Sequence, residues 1–162
     1  MRLIVVRHAI AVPRGTPGIP DEKRPLTPEG EERFEEAAAG IARLLERPDA
    51  LLTSPWLRAT QTAAILAKAW RGIEPTETPA LAGRPFAEQA AVLDRYPRKA
   101  TVAIVGHEPH LSSLLGRLVG ARHGERLEMK KGGMALVEVP GQLAEGGTLL
   151  MFIPPKLLRA LA

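Results

Sequence analysis

The stretch that most constrains this chain is Leu3-Ile4-Val5-Val6, followed at once by Arg7 and His8. Four apolar residues, three of them β-branched, read as a strand buried on both faces, the kind found inside a parallel sheet. Open α/β sheets bind their ligands beyond the carboxyl ends of the strands. Arg7 and His8 stand where this strand stops and should face that crevice. A guanidinium beside an imidazole suits the holding of an oxyanion next to a nucleophile or proton carrier. The plainer reading is a strand that happens to end in two polar residues, and this stretch alone does not separate the two.

The rest of the chain supplies the partners such a strand needs. Ala9 to Lys23 is a loop with three prolines and two glycines, long enough to suggest a functional role. Thr27 then reads as an N-cap with Pro28 at the first helical position. Phe34, Ala37, Ala38, Ile41, Leu44 and Leu45 lie on one face of the helix, which Pro48 ends. Ala50–Thr53 is a second buried strand, and Ser54-Pro55 reads as another cap and helix start, carrying a helix to about Trp70. Arg58, one turn into that helix, points back toward an amino end suited to anions. A short edge strand is expected near Thr76–Thr78, and a helix from about Pro85 to Tyr96. Thr101–Val105 is the clearest strand, ending in Gly106-His107-Glu108-Pro109-His110. Pro109 opens a helix with Leu111, Leu114, Leu115 and Leu118 on its buried face. Strands at Met134–Val139 and Thr148–Ile153 and a basic-apolar tail from Pro155 to Ala162 close the chain. This order predicts a single three-layer α/β/α domain over 1–162, with helices on both faces of a mostly parallel sheet and a carboxyl-terminal hairpin.

Composition narrows the class. A chain of 162 residues, 45% hydrophobic, can bury the core of one ordinary domain. No apolar run is long enough to span a membrane, and the first strand is too short for a signal peptide. With no cysteine, disulfides, zinc fingers and thiolate catalysis are excluded, and a cytoplasmic location is expected. The formal charge of +4 raises nucleic acid as a partner. The arginines are interleaved with glutamates, however, and aromatic stacking platforms are few, so a pocket for a small anion explains part of the charge equally well. Asparagine is absent, as heat adaptation or a biased genome would each produce.

Histidines follow two strands, at His8 and His107. If the second strand lies beside the first, Arg7 and Arg58 join them. Two imidazoles and two guanidiniums, without cysteine or a carboxylate pair, suit phosphoryl transfer through a histidine nucleophile. The rival is a metal site, since His107-x-x-His110 has helical ligand spacing. A metal would want a third ligand and a nearby carboxylate, and would sit poorly beside two arginines. His110 reads as a first-turn surface residue and His123 as a loop residue. Neither glycine-rich nucleotide motif is present.

The motifs Val5-Val6-Arg7-His8-Ala9, Arg24-Pro25-Leu26-Thr27-Pro28-Glu29-Gly30, Thr53-Ser54-Pro55-Trp56-Leu57-Arg58-Ala59-Thr60-Gln61-Thr62 and Val105-Gly106-His107-Glu108-Pro109 follow one another in this order. Together they resemble the histidine phosphatase (phosphoglycerate mutase-like) superfamily, and most of all its short SixA-type branch of phosphohistidine phosphatases. The likeness runs from residue 1 to about 118 and, more weakly, through Lys131–Ala135 to the end.

The resemblance implies that His8 is the nucleophile, that Arg7 and Arg58 clamp the phosphoryl oxygens, that His107 is the pocket's second histidine, and that Arg24 is a further arginine of the branch. It implies no metal or organic cofactor. Ala9 stands where the family usually has glycine. Larger members carry a carboxylate acid on an insert; Asp21, Glu22, Glu88 and Glu108 are the candidates for that role here. The expected activity is removal of phosphate from protein phosphohistidine through a phospho-His8 intermediate. A small-molecule phosphomonoesterase, a mutase and a non-catalytic phosphate-binding module are the alternatives. Lys130 and Lys131 read equally as a solvated face or as a substrate rim.

Overall fold

The structure is a computed structural model describing residues 1–162. One six-stranded sheet runs through it, built from β1 (Arg2–Arg7), β2 (Ala50–Thr53), β3 (Pro75–Glu77), β4 (Thr101–Gly106), β5 (Met134–Glu138) and β6 (Thr148–Ile153), in the order β3-β2-β4-β1-β5-β6. The pairings β3·β2, β2·β4 and β4·β1 are parallel, whereas β1·β5 and β5·β6 are antiparallel. The expected mostly parallel sheet with a carboxyl-terminal hairpin is therefore what forms.

Alternation along β1 divides the core. Ile4 and Val6 face a layer made by α1 (Pro28–Leu44), α2 (Leu57–Ala69) and α5 (Pro155–Arg159), where Phe34, Ile41, Leu66 and Leu158 are buried. Leu3 and Val5 face α3 (Phe86–Leu93) and α4 (His110–Leu118), meeting Leu93, Leu111, Leu114 and Leu118. Both faces of β1 are dry, which is why its sequence is continuously apolar rather than alternating. Each buried Leu or Ile contributes roughly 1.5–3 kcal/mol.

Local chemistry places the helices. Thr27 Oγ1 accepts from the Gly30 amide at 3.0 Å, capping α1 as expected. The second helix begins later than the Ser54-Pro55 reading places it: its first residue is Leu57, after Trp56. Ser54 instead receives the Trp56 amide on its hydroxyl at 3.3 Å, forming a turn before the helix. Arg58 is thus the second helical residue rather than one full turn in. The third helix is shorter than expected, stopping at Leu93. The condition that the second strand lie beside the first is not met. β4 lies between β1 and β2, so the first two strands are not neighbours. Their carboxyl ends still stand in one row of three, and the site is built on that row. No helix is long and apolar enough to cross a membrane.

Candidate active site

Three adjacent strand ends deliver the polar groups: Arg7 and His8 from β1, His107 after β4, and Ser54 and Trp56 after β2, with Arg58 on the first turn of α2. All of these but the fully buried Ser54 line a cavity of about 350 Å³, together with Arg14, Arg24 and Lys131. His8, Arg24, Arg58 and His107 are all buried. The structure thus brings together every residue that the resemblance assigned to catalysis or phosphate binding.

Hydrogen bonds fix the state of His8. Its Nδ1 lies 2.7 Å from the Ala9 carbonyl oxygen, which can only accept, so the proton is on Nδ1. Nε2 is left with its lone pair, and Arg58 Nε–H donates to it at 3.1 Å. The imidazole is therefore neutral, oriented, and capped by a guanidinium. Its pKa is pushed down to about 3, by burial first and then by the charges of Arg58, Arg7 and Lys131, against the raising effect of the Ala9 hydrogen bond. Ala9 is itself buried, gives its amide to Thr62 Oγ1 at 3.0 Å, and lacks the positive φ that would require glycine.

His107 sits with its ring centroid 5.0 Å from that of His8 and 4.6 Å from that of Trp56. Its Nε2 is 2.8 Å from Ser54 Oγ. Ser54 Oγ accepts the Trp56 amide, and His107 Nε2 is the only other partner within reach of its hydroxyl, so the hydroxyl donates to Nε2 and the neutral ring carries its proton on Nδ1. Burial foremost, with the neighbouring His8 and Arg58, lowers the His107 pKa to about 2. That Nδ1 and Arg7 Nε are the only buried side-chain nitrogen or oxygen atoms without a hydrogen-bond partner. Both belong to residues in the cavity wall.

The arginines are held by a carboxylate whose role the sequence did not reveal. Asp21 Oδ1 accepts from Arg24 Nε at 2.8 Å and from Arg14 Nε at 3.1 Å, while its backbone oxygen accepts from Arg58 Nη1 at 2.6 Å. Arg58 Nη2 lies 3.5 Å from Asp21 Oδ2. Burial works to raise the Asp21 pKa, but the hydrogen bonds from Arg14 and Arg24 and the charges of Arg58 and Arg24 hold it below the usual carboxylate range. Arg58 is pulled down to about 10, by burial and then by the charge of Arg24, and stays a cation at neutral pH. Its guanidinium lies 4.6 Å from the centre of the Trp56 ring. Arg7 Nη1 is anchored to the Met129 carbonyl and lies 3.5 Å from Glu128 Oε1.

The remaining acid candidates are placed as follows. Both Glu108 oxygens accept backbone amides, Oε2 from Ser112 at 3.1 Å and Oε1 from Met129 at 2.9 Å. Glu88 is exposed and pairs with Arg84, and Glu22 is exposed beside Asp21. His110 is not the surface residue expected: it lines the cavity mouth, its Nε2 edge turned against Gly83. The two lysines divide. Both are exposed, but Lys131 lines the cavity, its pKa lowered by partial burial and then by Arg7, Arg24 and Arg58, whereas Lys130 does not. His123 is a loop residue as expected. No three His, Asp or Glu side chains are grouped to hold a metal ion. Sequence reasoning missed Asp21 as a brace, Ser54 and Trp56. The signal available was only their adjacency to Arg24 and Arg58.

The neutral histidines give a pH prediction. In the unfolded chain both imidazoles take protons near their ordinary value of about 6.5, whereas in the fold they do so only near 3 and 2. The unfolded state binds more protons throughout that window, so stability falls as pH drops below about 6.5, and Asp21 adds a loss in the same direction at lower pH. Calorimetry from pH 7 to 4 should show a steadily falling Tm. His8→Asn should flatten that slope, and a Tm that does not vary with pH would contradict the assignment.

An α/β fold with a buried histidine and a cluster of arginines at its strand ends defines a class of phosphoryl-handling protein. The sequence profile of the histidine phosphatase superfamily (branch 1) matches residues 3–92, and the chain belongs to that family. An uncharacterized protein of the cyanobacterium Picosynechococcus is 36% identical over 137 residues, which is 83% of this chain and 82% of the relative. Among solved structures, the protein histidine phosphatase SixA complexed with tungstate superposes with a TM-score of 0.83 at 22% identity, covering 98% of this chain and 99% of that one. The α-ribazole phosphatase of Shigella flexneri superposes with a TM-score of 0.69 at 18% identity, covering 96% and 97%. At these identities the two structural likenesses speak for the fold.

Proposed function

We propose that this protein is a cytoplasmic phosphatase that works through a covalent phospho-His8 intermediate and acts most readily on phosphohistidine in proteins. The observation that carries the reading is the pair of buried N–H groups without acceptors, Arg7 Nε and His107 Nδ1, in the wall of the cavity that holds His8. Leaving buried donors unmade costs about 1–3 kcal/mol each, and a phosphoryl group would supply both acceptors. In the mechanism, the phosphoryl oxygens take Arg7, Arg24, Arg58 and His107 as partners, and Arg58 Nε exchanges His8 Nε2 for an oxygen. The freed lone pair attacks phosphorus in line, the bond to the leaving group breaks with its electron pair, and water later cleaves the P–N bond to His8. Catalysis is positioning and charge neutralisation, with Lys131 adding a cation at the rim. No step needs a metal or organic cofactor.

The placement of the acids supports this choice of substrate class. Asp21 is locked by arginines, Glu108 is occupied by two amides, Glu22 and Glu88 are outside the cavity, and His110 turns its Nε2 edge against Gly83. An alkoxide leaving group requires a proton donor, whereas a protonated phosphoimidazole departs as a neutral ring. Phosphate release should be measured in parallel from a phosphohistidine peptide and a panel of alkyl phosphate monoesters. The expected result is a preference for the peptide. Faster turnover of an alkyl ester would replace this reading with a general phosphomonoesterase, and phosphate bound without any turnover would make the protein a binding module.

A further inference from the structure

A hollow larger than the catalytic one lies elsewhere on the molecule. A groove of about 640 Å³ lies between α1 and α2 at their carboxyl-terminal ends. Both helices follow parallel strands, so this groove sits at the amino-terminal edge of the sheet, opposite the edge that carries His8. Its walls carry Arg43, Arg47, Lys68 and Arg71 against a single carboxylate, Glu35. All four cations are exposed, and none makes an ion pair, although arginines elsewhere on the surface pair with Glu29, Glu88 and Glu36. Arg43 donates to the Leu161 carbonyl at 3.0 Å, which holds its head without neutralising it. The floor is apolar and low, formed by Ala39, Ala42, Ile65, Ala69 and Trp70.

We infer that this groove is a docking site for an acidic amphipathic helix of a partner protein. Charge sets the sign of the occupant, four cations against one carboxylate. Shape sets its form. Arg43 to Arg47 on one side and Ile65 to Arg71 on the other flank a trough between two helices, and small floor residues let a third helix approach closely, its apolar stripe on the half-buried Ala39, Ala42, Ile65 and Ala69 and its carboxylates on the rim. A compact anion such as phosphate fits less well. The helices turn their carboxyl ends to this pole, so the backbone groups nearby are carbonyls rather than anion-binding amides. The cations stand around a rim instead of converging on a point, which suits carboxylates spread along a segment. Nucleic acid is disfavoured because Trp70 is the groove's only aromatic residue and is itself buried. The inference does not depend on the phosphatase reading.

The test uses the full chain and a fluorescein-labelled peptide of about fourteen residues, roughly four helical turns, with a Leu/Ala stripe flanked by Glu. Fluorescence anisotropy should show saturable binding that weakens about tenfold or more for the same peptide with Gln in place of Glu. A comparable loss is expected for the Lys68→Glu/Arg71→Glu double variant. These side chains are exposed and outside the catalytic cavity, so phosphate release by the variant should be unchanged, which shows that it has folded. Binding that survives in His8→Ala supports a separate site. No binding, equal binding of the Gln peptide, or no response to the charge reversal overturns the proposal. Displacement of the peptide by an oligonucleotide at equal or lower concentration overturns it in favour of nucleic acid, and displacement by millimolar phosphate in favour of a small-anion site.

Discussion

His8→Ala should lower the rate of phosphate release by about 10³-fold or more, leaving the phosphoryl-binding groups in place. The expectation rests on the Nε2 lone pair that Arg58 Nε–H holds at the arginine cluster, whereas His107 Nε2 is taken up by Ser54. Arg7 and Arg24 keep their own anchors, at Met129 and Asp21, when the imidazole is lost. Phosphate or tungstate should therefore still bind the variant within a few-fold of wild type, measurable by calorimetry. Brief mixing of wild type with substrate should leave an acid-labile, base-stable phosphoryl group on His8 and none on the variant. A variant that keeps most of its activity would remove His8 from the mechanism, and a phosphoryl group on another residue would reassign the nucleophile.

Arg58→Met separates catalysis from stability. Arg58 is 2% exposed, and its pKa near 10 means that keeping it charged costs the fold on the order of 3 kcal/mol. Burial and the crowding of Arg24 impose that cost, and Asp21 returns part of it. Methionine keeps most of the volume while removing the charge, and Asp21 retains Arg14 and Arg24 as partners, so no buried charge is left unpaired. The variant should lose about 10²–10⁴-fold in kcat/KM, because it lacks the donor that leaves His8 Nε2 for the phosphoryl group. Its Tm should stay level or rise. Arg58→Lys should rescue little activity, since one ammonium cannot reach His8 and Asp21 together as the planar fork does. A Tm lowered by more than a few degrees in Arg58→Met would show that the guanidinium serves the fold first.

The sequence made the site's chemistry more legible than its frame. Arg7, His8, Arg24, Arg58 and His107 could be named because each sits in a short motif anchored to a strand end or helix start, and such local signals survive without coordinates. Strand order is different. Nothing in Ala50–Thr53 announces that it pairs with β4 and not β1, because pairing is decided by packing between segments far apart in the chain. The start of α2 was misplaced for a related reason. Ser54-Pro55 carries a real cap signal, yet Ser54 is held by His107, a residue that only the folded sheet brings near. Asp21 was weighed as an acid because it is a carboxylate near a motif. Its task of holding three arginines depends on a loop path that local sequence does not encode.

The position of β4 also bears on the order in which a ribosome delivers the molecule. β1 is made well before its two sheet neighbours, Thr101–Gly106 and Met134–Glu138. At about 5–20 residues per second, the stretch from β1 to the nearer of them takes on the order of ten seconds. Throughout that interval Leu3–Val6 is an unpaired apolar segment, and Arg7 and His8 beside it wait for the rest of their setting. A nascent chain of this topology thus stays adhesive at a central strand until β4 and β5 arrive to cover it.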